Sequence, residues 1–207
     1  MKIILADLQP ALLTAWKQAA GDKDYISTCL GSIFDVACDA LVSPANSFGY
    51  MDGGIDLAIS NYFGWHVQER LQKLIQGKHH GELLVGAAEI VLTDHARIPY
   101  VISAPTMRVP MILAETANVY LAVRAVLLLV KYGVFEDGTA IASKVTTVAF
   151  PGMGTGSGQV PPGIFARQMK QAVEDVIEEK FRFPNSWREA SRRHQQLYSD
   201  QTMDFQD

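Results

Sequence analysis

Gly31-Ser32-Ile33-Phe34-Asp35-Val36-Ala37-Cys38-Asp39-Ala40-Leu41-Val42-Ser43-Pro44-Ala45-Asn46 runs directly into Ser47-Phe48-Gly49-Tyr50-Met51-Asp52-Gly53-Gly54-Ile55-Asp56-Leu57-Ala58-Ile59. Within it, Asp39-Ala40-Leu41-Val42-Ser43 reads as a short buried strand closing in a turn-rich segment. Residues 46–54 carry three glycines and cannot form regular structure. Residues 55–63 and 65–76 then have helical composition, broken at Gly64. A buried strand that leads through glycines into a helix is where α/β sheets bind ligands, because loops and helix N-termini gather beyond the carboxyl ends of the strands.

Outward from this stretch, apolar runs at residues 2–8 and 25–30 read as strands, with a helix between them over 11–20 that stops at Gly21. Residues 87–93, 100–104 and 144–150 are further strands, and 105–110 is a loop. A long helix over 116–132 carries Val119, Val123, Val126, Leu127 and Val130 on one face. Pro161-Pro162 opens another helix, expected to reach about residue 180, since proline is tolerated in the first turn. Alternating strands and helices predict an α/β fold: a three-layer α/β/α sandwich around a central mixed sheet of about six strands. There is neither an internal repeat nor a linker. One domain over residues 1–183 is expected, followed by a polar extension, 184–207, forming a peripheral helix or a partly disordered tail.

A second glycine loop, Pro151-Gly152-Met153-Gly154-Thr155-Gly156-Ser157-Gly158, follows the strand at 144–150. Glycines let the backbone approach a ligand closely, and exposed amides beside a helix dipole favour anions. Neither loop is a Walker A motif, having no Lys-Ser or Lys-Thr after its glycines, and neither keeps GxGxxG spacing. Each loop alone is a weak signal, more often a plain tight turn than a phosphate site.

Together they resemble the macro domain family. Residues 31–46 resemble that family's opening signature, roughly GDITxxxVDAIVNAAN, without a gap. Gly53-Gly54-Ile55-Asp56-Leu57-Ala58-Ile59 is similar to its first ligand loop, and Phe150-Pro151-Gly152-Met153-Gly154-Thr155-Gly156 to its phosphate loop, with Pro161 in the place of the closing proline. The resemblance covers about residues 1–180. It implies a cleft for ADP-ribose or an ADP-ribosylated substrate, the diphosphate wrapped by backbone amides. Ser32, Ile33, Ala45, Gly53, Gly54 and Ile55 would line one side. Pro151, Gly152, Met153, Gly154, Thr155, Gly156, Ser157 and Gly158 would line the other. Asn46 would face the distal ribose and Asp56 would orient or activate water at its anomeric carbon, as in hydrolytic members. A carboxylate suits that chemistry: it stabilises oxocarbenium character and takes a proton from water.

Several positions depart from the family pattern. Ser32 stands where an aspartate commonly accepts from the adenine amino group, a change worth ~1.5–3 kcal/mol, for which Asp35 is a candidate replacement. Ser43 and Pro44 replace the first residues of NAAN, Asp52 replaces a glycine beside the diphosphate, and Gly158 replaces an aromatic that caps the distal ribose, leaving Phe48, Tyr50 or Phe165 for that task. Two bland readings stay open: Asp56 as a helix cap and Asn46 as a turn residue bonded to its own backbone. So do two functional alternatives to a hydrolase, a non-catalytic nucleotide-binding module and a structural protein that has lost its ligand.

Composition bounds the rest. The chain has 207 residues, 48% hydrophobic and 19% charged, with a net charge of −4 and no basic block in its body. That argues for one globular domain and against a general nucleic-acid binder. The most apolar stretch, 119–130, contains Arg124 and is shorter than the roughly 20 residues of a bilayer span. Cys29 and Cys38 lack CxxC spacing, and the N-terminus has no signal-peptide character. Reduced thiols in a cytoplasmic protein are expected, with no membrane partner. His66, His79, His80 and His95 lack ligand spacing, so neither a metal nor another cofactor is expected, and Arg108 reads as a solvated residue of a loop able to close over a ligand.

Overall fold

The computed structural model describes residues 1–201 and 203. Its elements run β1 (Lys2–Asp7), α1 (Pro10–Ala20), β2 (Ile26–Leu30), β3 (Ala40–Ser43), α2 (Gly54–Phe63), α3 (His66–Lys78), β4 (Glu89–Leu92), β5 (Tyr100–Ser103), α4 (Asn118–Tyr132), β6 (Thr147–Phe150), α5 (Pro162–Val176) and α6 (Trp187–Gln195). Short 3-10 turns sit at Ile33–Asp35 and Ile141–Ser143. The strands form one six-stranded sheet in the order β2-β1-β6-β3-β5-β4, parallel except for the edge strand β4.

Alternation of side chains along each strand divides the core in two. Ile3 and Leu5 of β1, Val42 of β3, Ile102 of β5, and Val148 and Phe150 of β6 face one layer, where Trp16, Val123, Val126, Phe165 and Met169 from α1, α4 and α5 pack on them. Ala6, Leu41, Val101 and Ala149, one residue out of phase, face α2 and α3 through Ile59, Leu71 and Ile75, together with Met51 of the preceding loop. The protein is therefore a three-layer α/β/α sandwich with a mixed sheet, as its strand pattern predicts. Burial on both faces explains why Ala40-Leu41-Val42 is apolar at every position.

The differences from the sequence reading are local and have identifiable causes. Helix α5 ends at Val176 rather than near residue 180, because Glu178 is drawn aside by Lys23, Tyr25 and Lys180, and Glu179 takes a left-handed φ of 54°. Those contacts hold the Glu178 carboxyl at about 2, the hydrogen bond from Lys180 contributing most. The polar extension, expected as a helix or a partly disordered tail, holds a helix, α6: Ser186 accepts from the Glu189 amide (3.1 Å) and the Glu189 carboxylate accepts from the Asn185 amide (2.7 Å). The Ser186-x-x-Glu189 spacing is that of a capping box, with Glu189 reaching the Asn185 amide one residue before the cap. Of the expected tail, residues 202 and 204–207 lie outside the described residues. Cys29 is half-buried and Cys38 buried, and burial pushes the Cys38 thiol up to about 12. No helix among the described residues is long and apolar enough to cross a membrane.

Phe165 is fully buried, so it serves the core and cannot cap a ligand. Phe165→Ala is expected to lower unfolding free energy by ~3–5 kcal/mol, read as an earlier urea midpoint with an unchanged slope.

Candidate functional site

At the carboxyl ends of β1, β3 and β6 a cleft of about 780 Å³ opens. The chain passes from β1 outward to β2 on one side, while β3 and β5 extend the sheet on the other. Loops diverge at such a reversal and leave a crevice above the strands. One wall is the loop leaving β3 and the start of α2, the other the glycine loop between β6 and α5, and the floor at one end is Asp7 with Gly31 and Ser32.

Asn46, Asp56 and every residue that the resemblance assigns to the two walls line this cleft except Met153. The Met153 side chain is fully buried in the core beneath the loop, anchoring the backbone there. Around it the loop is closed by Thr155 Oγ1 donating to the Gly152 carbonyl (3.0 Å), Gln159 N to Gly156 O (3.0 Å) and Val160 N to Gly154 O (3.1 Å). Gly154 has φ +69°, and a Cβ at Gly158 would lie 2.5 Å from the Gly154 carbonyl oxygen. An aromatic cannot occupy position 158 without rebuilding this turn. Among the described residues the amides of Met153, Gly154, Thr155, Gly156, Ser157 and Gly158 have no acceptor within the chain. The first amides of α2 are likewise left over, as at any helix start. Two segments with unmatched N–H groups, residues 154–158 and the first residues of α2, thus line one crevice, a setting that favours an anion.

Asn46 is held by its own loop. Its Nδ2 donates to the Tyr50 carbonyl (2.7 Å) and its Oδ1 accepts from the amides of Phe48 (3.1 Å) and Tyr50 (3.2 Å). It therefore is a turn residue, with one N–H still free to face the cleft. Asp56, in contrast, does not cap α2. The cap position is Gly53, without a side-chain bond, and Asp56 is the third helical residue. Its carboxylate accepts from Ser43 Oγ at 2.5 Å, with only 8% of the residue exposed. Burial lifts its pKa to about 6, partly opposed by the Ser43 hydrogen bond and aided by the negative charge of Asp52. Ser43, a departure from the family pattern, is thus the partner that orients this carboxylate.

Ser32 accepts from the Phe34 amide (3.3 Å) at the start of the 3-10 turn. Asp35 is exposed and does not line the cleft. The carboxylate that does so at this end is Asp7, which sequence reasoning missed: its Oδ1 accepts from Gln9 N (2.9 Å) and its Oδ2 from Gly152 N (3.0 Å). The available signal was its position as the last residue of an apolar strand. Tyr50, half exposed, lines the cleft, whereas Phe48 lies under Arg108. Arg108 is paired with Glu82 (Nε to Oε1 2.6 Å) and bends away from the crevice wall.

A family model described as Macro domain matches residues 42–169, and the chain belongs to the macro domain family. It is 34% identical over 149 residues to an uncharacterized protein of Aquifex aeolicus, covering 72% of this chain and 80% of that one. It is 29% identical over 155 residues to another of Aeropyrum pernix, covering 74% and 72%. The fold is similar to a mutant Oceanobacillus iheyensis macrodomain solved with ADPR, at TM-score 0.59 and 21% identity, covering 72% of this chain and 76% of that one. It is also similar to the macrodomain of Mycobacterium tuberculosis DarG, at TM-score 0.55 and 20% identity, covering 70% and 88%.

The raised pKa of Asp56 fixes the sign of a stability effect. The folded state binds this proton more tightly than the unfolded chain, so the penalty for ionising Asp56 is absent near pH 3 and grows as pH rises from about 4 to about 6. Asp56→Asn removes that penalty. It is expected to stabilise the protein at pH 8 by up to ~3 kcal/mol, and by little at pH 3.5, in paired thermal melts.

Proposed function

We propose that the cleft binds ADP-ribose and that the protein hydrolyses an ADP-ribosyl linkage to a protein side chain or a small acyl group. The observation carrying this reading is that two segments with unmatched amides line one crevice that also holds one buried carboxylate. The Oceanobacillus iheyensis macrodomain of the same fold was solved with ADPR and, separately, with ADP. In this reading the amides of residues 153–158 and the first turn of α2 donate to the diphosphate. Such donors need no reorganisation when charge arrives. Asp7 replaces the acidic residue missing at Ser32: each of its oxygens already accepts one amide and keeps a lone pair for an adenine amino group. Tyr50 covers the distal ribose.

Asp56 acts on water. A carboxylate with a pKa of about 6 is ionised at neutral pH yet basic enough to accept a proton in the transition state, and Ser43 fixes its orientation. Water adds to the anomeric carbon, its proton passes to Asp56, and the bond to the leaving group breaks. A second reading, binding without turnover, is favoured by Asn46, whose side chain is largely spent on its own loop.

Calorimetric titration with ADP-ribose tests the shared claim. Saturable binding is expected. Gly156→Val should weaken it by about tenfold or more without lowering the melting temperature, because a Cβ there meets nothing within 4 Å. No heat at millimolar ADP-ribose would remove the ligand altogether. For turnover, release of ADP-ribose from an ADP-ribosylated substrate is expected to fall at least ~100-fold in Asp56→Ala. Equal release by both proteins would take Asp56 out of the mechanism, and no release by either would leave a binding module.

A further inference from the structure

The charged side chains lining the cleft are Asp7, Asp52 and Asp56, and among the described residues no lysine, arginine or histidine joins them. A diphosphate brings about two further negative charges, so a wholly anionic ligand meets an anionic wall. The three carboxylates are not equivalent. Asp7 is engaged by the amides of Gln9 and Gly152. Asp56 is more than nine-tenths buried, with one oxygen on Ser43 and the other without a hydrogen-bond partner among the described residues, and it reaches the cleft. Asp52 is exposed and has neither a hydrogen bond nor an ion pair among the described residues.

Asp52 precedes the cap residue Gly53, and Asp56 lies in the first turn of α2, so both sit at the positive end of that helix. They partly neutralise it, and the diphosphate is left chiefly to the loop after β6. What the Asp52 and Asp56 end lacks is a cation. Resting on the hydrolase reading above, we propose that Asp52 is a specificity residue. It selects ADP-ribosyl groups whose anomeric substituent is a nitrogen-linked cation, a guanidinium or a pyridinium, over neutral esters.

Charge complementarity favours this class, and repulsion of extra negative charge rejects anionic neighbours. The chemistry balances. Water supplies hydroxyl to the anomeric carbon, and the carbon–nitrogen bond breaks with its electron pair going to nitrogen. A guanidine leaving group takes up the proton that Asp56 removed from water and departs as guanidinium. A pyridinium departs as neutral pyridine, and the proton is released to solvent.

NAD+ and NADH provide matched probes, nearly equal in shape but differing by the charge on the nicotinamide ring. Each is titrated at low salt, beside ADP-ribose, into the wild-type protein and Asp52→Asn. Wild type is expected to prefer NAD+ over NADH by about two- to fivefold, the range for an exposed charge pair. The preference should fall toward one in Asp52→Asn and with added salt. Turnover of an ADP-ribosylated arginine peptide, an ADP-ribosylated glutamate peptide and NAD+ then separates guanidinium from pyridinium. ADP-ribose binding with no NAD+ preference, or with one that survives Asp52→Asn, overturns the specificity role while leaving the binding reading intact. Failure to bind ADP-ribose at all overturns both.

Discussion

Among the described residues, the main-chain amides of residues 153–158, in the loop that leaves β6 at the carboxyl end of the sheet, have no acceptor. A parallel strand order directs β1, β3 and β6 so that they finish on the same edge, and the segments leaving them cannot continue a ladder. Unpaired N–H groups buried away from water are costly, so such a loop stays hydrated or holds an anion. The closure of the glycine loop after β6, through Thr155, Gln159 and Val160, uses carbonyl oxygens, and among the described residues the donors of residues 153–158 are left without an acceptor. Met153 buried below and the tight approach of Gly158 to Gly154 hold that geometry without a ligand. Preorganisation of this kind reduces the ordering cost of binding.

The same edge places a carboxylate in an unfavourable setting and keeps it there. Asp56 is buried at a helix start, where ionisation costs stability, and its hydroxyl partner Ser43 comes from the end of a neighbouring strand. A group held against its own solvation preference, in a crevice rather than in a salt bridge, has the physical character of a site residue. By contrast Glu178 lies among Lys23, Tyr25 and Lys180, its acid strength raised by partners, and it fastens α5 to the start of β2. One perturbed carboxylate is structural and the other faces the cleft, and their surroundings distinguish them.

The departures from the usual family residues form a consistent set. Serine at position 43 supplies the hydrogen bond to Asp56. Serine at 32 caps a 3-10 turn, while Asp7 brings the acidic group to that end of the cleft. Glycine at 158 permits the close turn that an aromatic would block. Asp52 adds a negative charge to a cleft whose lining holds no lysine, arginine or histidine among the described residues. These changes alter the charge and shape of the crevice more than its architecture.

The sequence by itself determined what neighbouring residues control. Apolar runs set the strands, glycine and proline set the loops, and the spacing from Asn46 to Asp56 set the relation between a loop and the first turn of a helix. All of these depend on local backbone chemistry. Only the tertiary structure decided which distant groups share the crevice. Asp7 lies 145 residues before Gly152, yet meets its amide because β1 and β6 are neighbours in the sheet. Met153 turns inward although its loop faces outward, and Arg108 leaves the cleft for Glu82. Strand order and long-range packing fix these outcomes, and no window of consecutive residues contains either.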